Sequence, residues 1–183
     1  MENKNLITAT FANGCFWCTE AVFNRVIGVE KVISGFTGGN IKNPAYREIT
    51  TGRTGHAEGI QIFYNESLIS FIELLEIFFA THDPTTLNRQ GHDVGTQYRS
   101  AIFYHSESQK NQAEAFIKHL DSQNIFDSKI VTEVTTFDVF YNADEDHHEY
   151  YERNTENSYC QFVIHPKIKK LNTYFSDKLK TNQ

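Results

Sequence analysis

The sequence predicts an α+β fold, a two-layer sandwich in which helices cover one face of a mainly antiparallel sheet. The order of the elements, the length of the chain and its lack of a linker lead to this prediction. Strand-like and helical segments follow one another in the order βαββαβ, and further helical segments come after the last strand. The 183 residues can bury a substantial core as one domain, and the chain has no segment typical of an interdomain linker. We therefore expect one domain over residues 1–183 with a ferredoxin-like core at about 6–167, two parallel βαβ units being the alternative.

Five segments have the alternating or β-branched pattern of strands, and glycine, asparagine and aspartate residues bound them. They are residues 6–12, 29–36, 59–64, 99–105 and 129–140. These segments supply the predicted sheet.

Five other segments have apolar residues at helical spacing or a helix-end signal. They lie at residues 16–27, at 67–81, from Ser106 onward, at about 143–154 and from Pro166 onward. Gly28 is expected to end the first helix, and Ser106 with Gln109 forms a capping-box pattern at the start of the third. Pro166 suits the first position of the last helix, because its missing N–H would have no partner there in any case.

The charge balance excludes some classes of partner. Lys and Arg total 17 and Asp and Glu total 23, so the net charge of −6 disfavours a nucleic-acid backbone or an anionic membrane. The N-terminal segment lacks the pattern of a secretory signal, and the most apolar segment, residues 68–80, is too short to span a bilayer. We expect a cytoplasmic monomer that acts on a small molecule or a protein.

Two long segments, residues 37–57 and 82–98, have no periodicity, and long ordered loops of this kind tend to carry function. The acidic and phenolic candidates in or next to them are Tyr46, Glu58, Asp93 and Tyr98. If Glu58 is buried beside aromatic rings, it will keep its proton and can act as a general acid.

The stretch GCFWC places Cys15 directly after a strand and at the start of a helix. Free N–H groups and the positive end of the helix dipole favour a thiolate there, so Cys15 is the expected nucleophile. Phe16 and Trp17 point in different directions, and at least one of them should line a pocket rather than the core. An aromatic wall suits an apolar group such as a methyl.

Several motifs together resemble peptide methionine sulfoxide reductase of the A type. The matching stretches are GCFWC, GHAE, NPAYREI, GTQYRSAIFYH and a late YC, and they extend over about residues 7–167. The resemblance implies an enzyme that reduces methionine-S-sulfoxide in oxidised proteins, and also the free amino acid, through a cysteine sulfenic acid and then a disulfide. It also implies recycling by thioredoxin, or by dithiothreitol in vitro, without a cofactor or a metal.

The resemblance assigns a role to each candidate. It makes Cys15 the nucleophile and Glu58 the proton donor to the sulfoxide oxygen. The other candidates bind the substrate: Phe16 and Trp17 hold the S-methyl group, Tyr46 and Tyr98 hydrogen-bond the oxygen, and Asp93 assists through water.

Two cysteines compete to resolve the sulfenic acid. Cys160 matches the late YC of the family and lies in NSYCQF, a stretch without helical periodicity that we expect to be mobile. Cys18 lies one helical turn from Cys15, where the family commonly has glycine, and a disulfide between them would have to accommodate the aromatic pair. We favour Cys160 and keep Cys18 as the alternative.

Other classes of function compete with this interpretation. A structural zinc module would use Cys15, Cys18 and Cys160 with His147 or His148 as the fourth ligand. A thioredoxin-like dithiol oxidoreductase also has CxxC at a helix start, although small residues usually separate its cysteines. A noncatalytic aromatic binding module would leave the glycine-rich loops and the cysteine spacing unexplained.

Overall fold

The computed structural model describes residues 5–181 and has a mixed α+β structure. Its strands are β1 (Ile7–Asn13), β2 (Val29–Thr37), β3 (Ala57–Tyr64), β4 (Arg89–Gln90), β5 (Asp93–Val94), β6 (Ser100–Tyr104), β7 (Glu133–Thr136) and β8 (Phe140–Asn142). Six of them form one sheet in the order β7-β6-β1-β3-β2-β8, and β4 and β5 form a separate two-stranded ribbon.

The α-helices are α1 (Phe16–Phe23), α2 (Tyr46–Ile49), α3 (Phe71–Ala80), α4 (Glu107–Ser122), α5 (Tyr150–Arg153) and α6 (His165–Tyr174). Shorter 3-10 turns occur at Thr96–Tyr98, Glu145–His147 and Ser176–Lys178, and a π-helical turn, Cys160–Ile164, runs directly into α6. Within residues 5–181, no helix is long and apolar enough to cross a membrane.

The sheet is antiparallel except at one edge. β1 pairs antiparallel with β3 and β6, and β2 pairs antiparallel with β3 and β8. β7 runs parallel to β6. The prediction of a mainly antiparallel α+β fold is therefore confirmed, and the alternative of two parallel βαβ units is wrong.

Aromatic rings hold the helices against the sheet. Phe11 of β1 is wholly buried, and its ring lies 5.8 Å from that of Phe23 in α1. On α3, the rings of Phe71 and Phe78 lie 5.9 and 4.9 Å from Phe11. Truncating a phenylalanine in such a place costs about 3–5 kcal/mol, so this cluster contributes much of the force that docks α1 and α3 beside β1.

The predicted strand at residues 129–140 is two strands in the structure. β7 pairs with β6 at one edge of the sheet, whereas β8 pairs with β2 at the opposite edge. Between them, the N–H of Phe137 donates to the carbonyl of Tyr104, and the carbonyl of Val139 accepts from the hydroxyl of Thr37. The segment thus crosses from one edge to the other, and a local pattern of β-branched residues carries no information about which edge it will cover.

Helix ends also differ in part from the prediction. The first helix stops at Phe23, four residues before the predicted end at residue 27. At the start of α4, the hydroxyl of Ser106 accepts the N–H of Gln109 as expected, at 3.2 Å. The side chain of Gln109 accepts from the N–H of His105 rather than from that of Ser106, so the capping box is displaced by one residue.

Candidate active site

Cys15 lies at the junction of β1 and α1, where the sequence places it. The preceding Gly14 has φ +107°, and a Cβ there would approach Cγ of Gln90 to 2.8 Å, so both the conformation and the space require glycine. The hydroxyl of Thr19 donates to Oδ1 of Asn13 at 2.5 Å and ties the first turn of α1 to the end of β1. The side chain of Cys15 is consequently held in a nearly closed position, with 8% of the residue exposed.

Cys15 and Cys18 form a hydrogen-bonded pair of thiols. Burial, followed by the hydrogen bond with Cys18, raises the pKa of Cys15 well above its usual value. The same hydrogen bond lowers the pKa of Cys18 to about 7, against the opposing effect of burial. Burial therefore opposes the expected thiolate of Cys15, because desolvation outweighs the backbone hydrogen bond from Trp17 that favours the thiolate. Of the two thiols, Cys18 is the one whose deprotonation is favoured.

Glu58 lies on β3, and only 2% of the residue is exposed. Its Oε1 accepts the backbone N–H of Phe16 at 3.2 Å, which fixes the carboxyl group beside the start of α1. Desolvation raises the pKa of Glu58 to about 8, although the hydrogen bond from Phe16 acts in the opposite direction. The carboxyl group is thus neutral at physiological pH and has a proton to give.

The structure brings the two tyrosine candidates to the same place. Burial raises the pKa of Tyr46 to about 12, and the charges of Glu58 and Cys15 contribute. The pKa of Tyr98 is raised by burial and then by the same two groups. Both phenols therefore keep their protons and remain hydrogen-bond donors beside Cys15. Asp93 also contributes to both shifts and lies at this centre.

The aromatic pair has two different environments. Phe16 is almost wholly buried, with its ring 5.6 Å from that of Phe36. Trp17 is partly exposed, and Tyr150 stacks on it with the ring centroids 3.7 Å apart and the planes at 7°. Trp17 Nε1 also donates to Nδ1 of His147 at 3.2 Å. Phe16 and Trp17 therefore form part of a larger aromatic cluster.

Tyr150 and Tyr159 are site residues that the sequence did not indicate, and His147 entered the sequence analysis as an alternative zinc ligand only. The ring of His147 lies 5.4 Å from Phe16 and 4.4 Å from Tyr46, in addition to its bond with Trp17. The accumulation of histidine and tyrosine in DEDHHEYYERN is a signal for His147 and Tyr150, although its polar pattern predicts a helix. In the structure that segment contains only the 3-10 turn Glu145–His147 and the short α5.

A buried carboxylate holds this segment over Trp17. Glu20 of α1 accepts the hydroxyl of Ser34 and the backbone N–H of Glu149, both at 2.5 Å. Burial raises the pKa of Glu20, and the two donors partly offset that effect. Glu20 thus connects α1 and β2 to the residues that carry His147 and Tyr150.

The third cysteine has a different environment from the one expected. Cys160 begins the π-helical turn that continues into α6, and none of its surface is exposed. The expectation of a stretch without helical structure around Cys160 is therefore wrong. Burial and the charge of Cys18 raise the pKa of Cys160, so the thiol of Cys160 lies near that of Cys18. All three cysteines are free thiols, and Cys18 is the one that contacts Cys15.

Asp93 and Tyr159 border the thiol pair. The hydroxyl of Tyr159 donates to Oδ2 of Asp93 at 2.6 Å and lies 3.8 Å from Sγ of Cys18. The phenol has one proton, so the short bond to Asp93 leaves its oxygen free to accept from the thiol when Cys18 is protonated.

The predicted zinc ligands have other partners. His147 accepts from Trp17, and Nε2 of His148 lies 3.0 Å from the carbonyl oxygen of Ala143. Among the residues that the structure describes, no group of three or more His, Cys, Asp or Glu side chains is arranged to hold a metal ion.

The arrangement can perform one kind of chemistry particularly well. A thiol lies next to a neutral carboxylic acid, two protonated phenols and a second thiol of lowered pKa. A substrate whose oxygen must be protonated while a sulfur nucleophile attacks the adjacent atom would find every required group present.

Comparison with known proteins gives a consistent result. Residues 7–179 match the family model for peptide methionine sulfoxide reductase. A peptide methionine sulfoxide reductase MsrA from Saccharolobus solfataricus is 51% identical over 175 residues, which cover 96% of this chain and 98% of the relative. The corresponding protein of Trichodesmium erythraeum is 50% identical, covering 95% of this chain and 98% of the relative.

Solved structures of similar proteins share the fold. Methionine sulfoxide reductase A of Corynebacterium diphtheriae has a TM-score of 0.80 at 32% identity and covers 85% of this chain and 78% of its own. Reduced Mxr1 from Saccharomyces cerevisiae has a TM-score of 0.78 at 31% identity, covering 87% of this chain and 91% of its own. Mxr1 in complex with Trx2 has a TM-score of 0.56 at 25% identity, with coverage of 81% and 87%.

Proposed function

Because the chain belongs to the peptide methionine sulfoxide reductase family and to its A type, we propose that it reduces methionine sulfoxide in oxidised proteins to methionine. It thereby repairs oxidative damage, and thioredoxin supplies the electrons, as the complex of Mxr1 with Trx2 suggests by analogy. The observation that carries this proposal is the buried, neutral Glu58 beside the thiol of Cys15.

The first step transfers the sulfoxide oxygen to Cys15. Cys15 passes its proton to Cys18, its hydrogen-bond partner, and the resulting thiolate attacks the sulfoxide sulfur. Glu58 protonates the oxygen as charge develops on it, and Tyr46 and Tyr98 donate hydrogen bonds to the same atom. The attack forms a bond between Sγ of Cys15 and the substrate sulfur. The protonated oxygen then moves to Sγ: an Sγ–O bond forms, the S–O bond of the substrate and the bond between the two sulfurs break, and methionine leaves Cys15 as a sulfenic acid. The substrate sulfur is reduced by two electrons and Cys15 is oxidised by two.

Phe16 and Trp17 hold the S-methyl group while the oxygen points to Glu58. Asp93 supports the oxygen site through water. The sulfoxide sulfur is chiral, so a pocket with fixed positions for the methyl group and the oxygen accepts one hand only. The family resemblance indicates that this is the S-epimer, either in a peptide or as the free amino acid.

Cys18 forms the first disulfide with Cys15. Its thiol attacks the sulfenic sulfur, the S–OH bond breaks, and water leaves. Cys18 already contacts Cys15, whereas Cys160 is wholly buried, so geometry favours Cys18 over the Cys160 assignment that the family pattern implies. Cys160 is near enough to Cys18 for the charge of Cys18 to raise its pKa, and it remains available for a later exchange in which the disulfide moves to the pair Cys18 and Cys160.

Three further parts of the proposal concern the topology of the core, the need for a cofactor, and the location and oligomeric state of the protein. The four strands β6-β1-β3-β2, with α1 after β1 and α3 after β3, support a ferredoxin-like core. The enzyme needs no cofactor, because the two thiols and an external dithiol account for every electron transferred. We also propose a cytoplasmic monomer, which size-exclusion chromatography and cell fractionation would test.

The experiment that tests the function is reduction of each methionine sulfoxide epimer with dithiothreitol as the electron donor. We expect the S-epimer to be reduced and the R-epimer to remain. The Cys15→Ser variant should reduce neither. Comparable rates for the two epimers would contradict the pocket with fixed positions, and activity in Cys15→Ser would contradict the assigned nucleophile.

A further inference from the structure

A groove of about 510 Å³ opens beside both thiols of the CxxC pair. Its wall includes Cys15 and Cys18 on one side and the first turns of the last helical segment on the other. Glu58 and Trp17, which serve the sulfoxide, are not part of this wall. Apart from Cys15 itself, Asp93 is the one residue assigned to the sulfoxide that lines this groove. The groove therefore reaches the thiol pair from a side that Glu58, Tyr46, Tyr98, Phe16 and Trp17 do not line.

The wall of the groove combines an apolar surface with one lysine, Lys167, and one acidic residue, Asp93. Phe162 is 79% exposed, which is unusual for a phenylalanine, and Val163 and Pro166 continue the apolar surface. Lys167 completes the wall beside Cys18, and after the hydrogen bond from Cys15 its charge is one of the influences that lower the pKa of Cys18. An exposed aromatic ring beside a nearly closed redox centre is typical of a protein contact rather than of a solvated surface.

We propose that thioredoxin docks in this groove, defined here as the reductant groove, whose wall includes Cys15, Cys18, Asp93, Phe162, Val163 and Lys167. The proposal rests on the proposed function, because the partner is the dithiol that reduces the Cys15–Cys18 disulfide. One partner thiolate attacks Sγ of Cys18, the Cys15–Cys18 bond breaks, and Cys15 leaves as a thiolate. The second partner thiol then attacks the mixed disulfide and releases Cys18. The partner is oxidised by two electrons and the two cysteines are reduced.

Charge complementarity favours this occupant. The attacking group is an anionic thiolate, and so is Cys18 when it leaves in the second exchange. Lys167 is placed to attract the first and to stabilise the second. The carboxylate of Asp93 in the same wall opposes this, but its effect on Cys18 is smaller than that of Lys167. A peptide that carries methionine sulfoxide brings no such charge, and its sulfoxide must reach the oxygen site near Glu58, which lies outside the groove wall.

The burial of Cys160 also favours Cys18 as the cysteine that thioredoxin attacks. Cys160 has no exposed surface and does not line the groove, so a folded partner cannot reach its sulfur without opening the helical segment that carries it. Cys18 is 2% exposed and does line the groove. A rigid partner can therefore reach Cys18 by a small adjustment at the rim.

The test compares Phe162→Ala with Tyr174→Ala. Tyr174 is a matched control, because it is 71% exposed and lies on the same helical segment, about 18 Å further along at 1.5 Å per residue. We expect Phe162→Ala to raise the KM for thioredoxin about fivefold or more, as for the truncation of an interface anchor. Tyr174→Ala should leave it unchanged. Phe162→Asp, which adds a negative charge at the rim, should raise the KM further.

Two further measurements separate this proposal from the proposed function. Dithiothreitol-driven reduction and the KM for an oxidised peptide should be the same in Phe162→Ala and in the unaltered protein. A raised KM for the peptide with an unchanged KM for thioredoxin would assign the groove to the substrate and overturn the proposal, as would equal thioredoxin kinetics in all variants. Loss of dithiothreitol-driven reduction in the unaltered protein would instead refute the sulfoxide reductase activity itself.

Discussion

Two ionisable groups within the same buried centre, Glu58 and Cys18, respond to burial in opposite ways. Desolvation dominates at Glu58 and raises its pKa to about 8, so the carboxylic acid stays neutral. At Cys18 the hydrogen bond from Cys15 outweighs desolvation and lowers the pKa to about 7. Burial by itself would have neutralised both groups.

The difference shows that hydrogen-bond partners decide the charge in this centre. Glu58 has one backbone donor, from Phe16, which is too little to stabilise a buried carboxylate. Cys18 has a thiol donor in Cys15 and a nearby cation in Lys167. The oxygen side of the centre therefore holds a proton to give, and the thiol side holds a negative charge that can accept one.

The largest effect is expected at Cys18, the proposed resolving thiol. Cys18→Ser should retain a single turnover, in which one equivalent of methionine forms per enzyme, but its thioredoxin-driven turnover should fall below detection. Cys160→Ser should keep both, because Cys18 contacts Cys15 directly. Quenched single-turnover assays and mapping of disulfide-linked peptides by mass spectrometry measure the two effects.

The reverse result would restore the family assignment. If Cys160→Ser abolishes recycling while Cys18→Ser leaves it intact, the resolving thiol is Cys160, and the helical turn that buries it must open during each cycle.

The next largest effect is expected at the proton donor. Glu58→Gln keeps size and hydrogen bonding but deletes the proton, so single-turnover reduction should slow by roughly 10²-fold or more. In the unaltered enzyme the rate should fall as pH rises through about 8, because the carboxyl group then ionises. Exposed Glu66→Gln is the control. A Glu58→Gln enzyme within threefold of the unaltered rate would transfer the donor role to Tyr46 or Tyr98.

Glu58 should also affect stability with a definite sign. Its pKa is about 8 in the folded protein against 4.5 for the free side chain, so the folded state loses stability as pH rises between these values. Glu58→Gln has no such loss. The quantity to compare is the free energy of unfolding of Glu58→Gln minus that of the unaltered protein. This difference should be more positive at pH 8 than at pH 4, by more than about 1 kcal/mol. Denaturant titrations at both pH values measure this, and a pH-independent difference would mean that Glu58 is ionised in the fold.

The smallest effect is expected at the cation of the thiol side. Lys167→Met should raise the pKa of Cys18, because a positive charge favours the thiolate and its removal disfavours it. In a Cys15→Ser, Cys160→Ser background, Cys18 is the one remaining thiol, and its rate of alkylation against pH reports the pKa. We expect an upward shift of a few tenths of a unit.

Lys169→Met is the matched control for that measurement, since Lys169 lies on the same helix but outside the groove. Equal alkylation profiles for the two lysine variants would mean that Lys167 has no influence on the thiol.

The sequence by itself determined the local features of this protein. The α+β class follows from the order of strand and helix patterns, and the position of Cys15 follows from a strand, a glycine and a helix start in succession. Ser106 caps α4 and Pro166 lies at the start of α6, as their residue types predict. Each of these features depends on residues a few positions apart, which a pattern can contain.

Only the tertiary structure decided the charges and the long-range contacts. His147 reaches Trp17 across 130 residues of chain, and the segment at 129–140 divides between two edges of the sheet. The proton on Glu58, the charge on Cys18 and the burial of Cys160 depend on how much water is removed around each group and on which donors face it. Desolvation is set by packing among elements far apart in the chain, so no local pattern of residues encodes it.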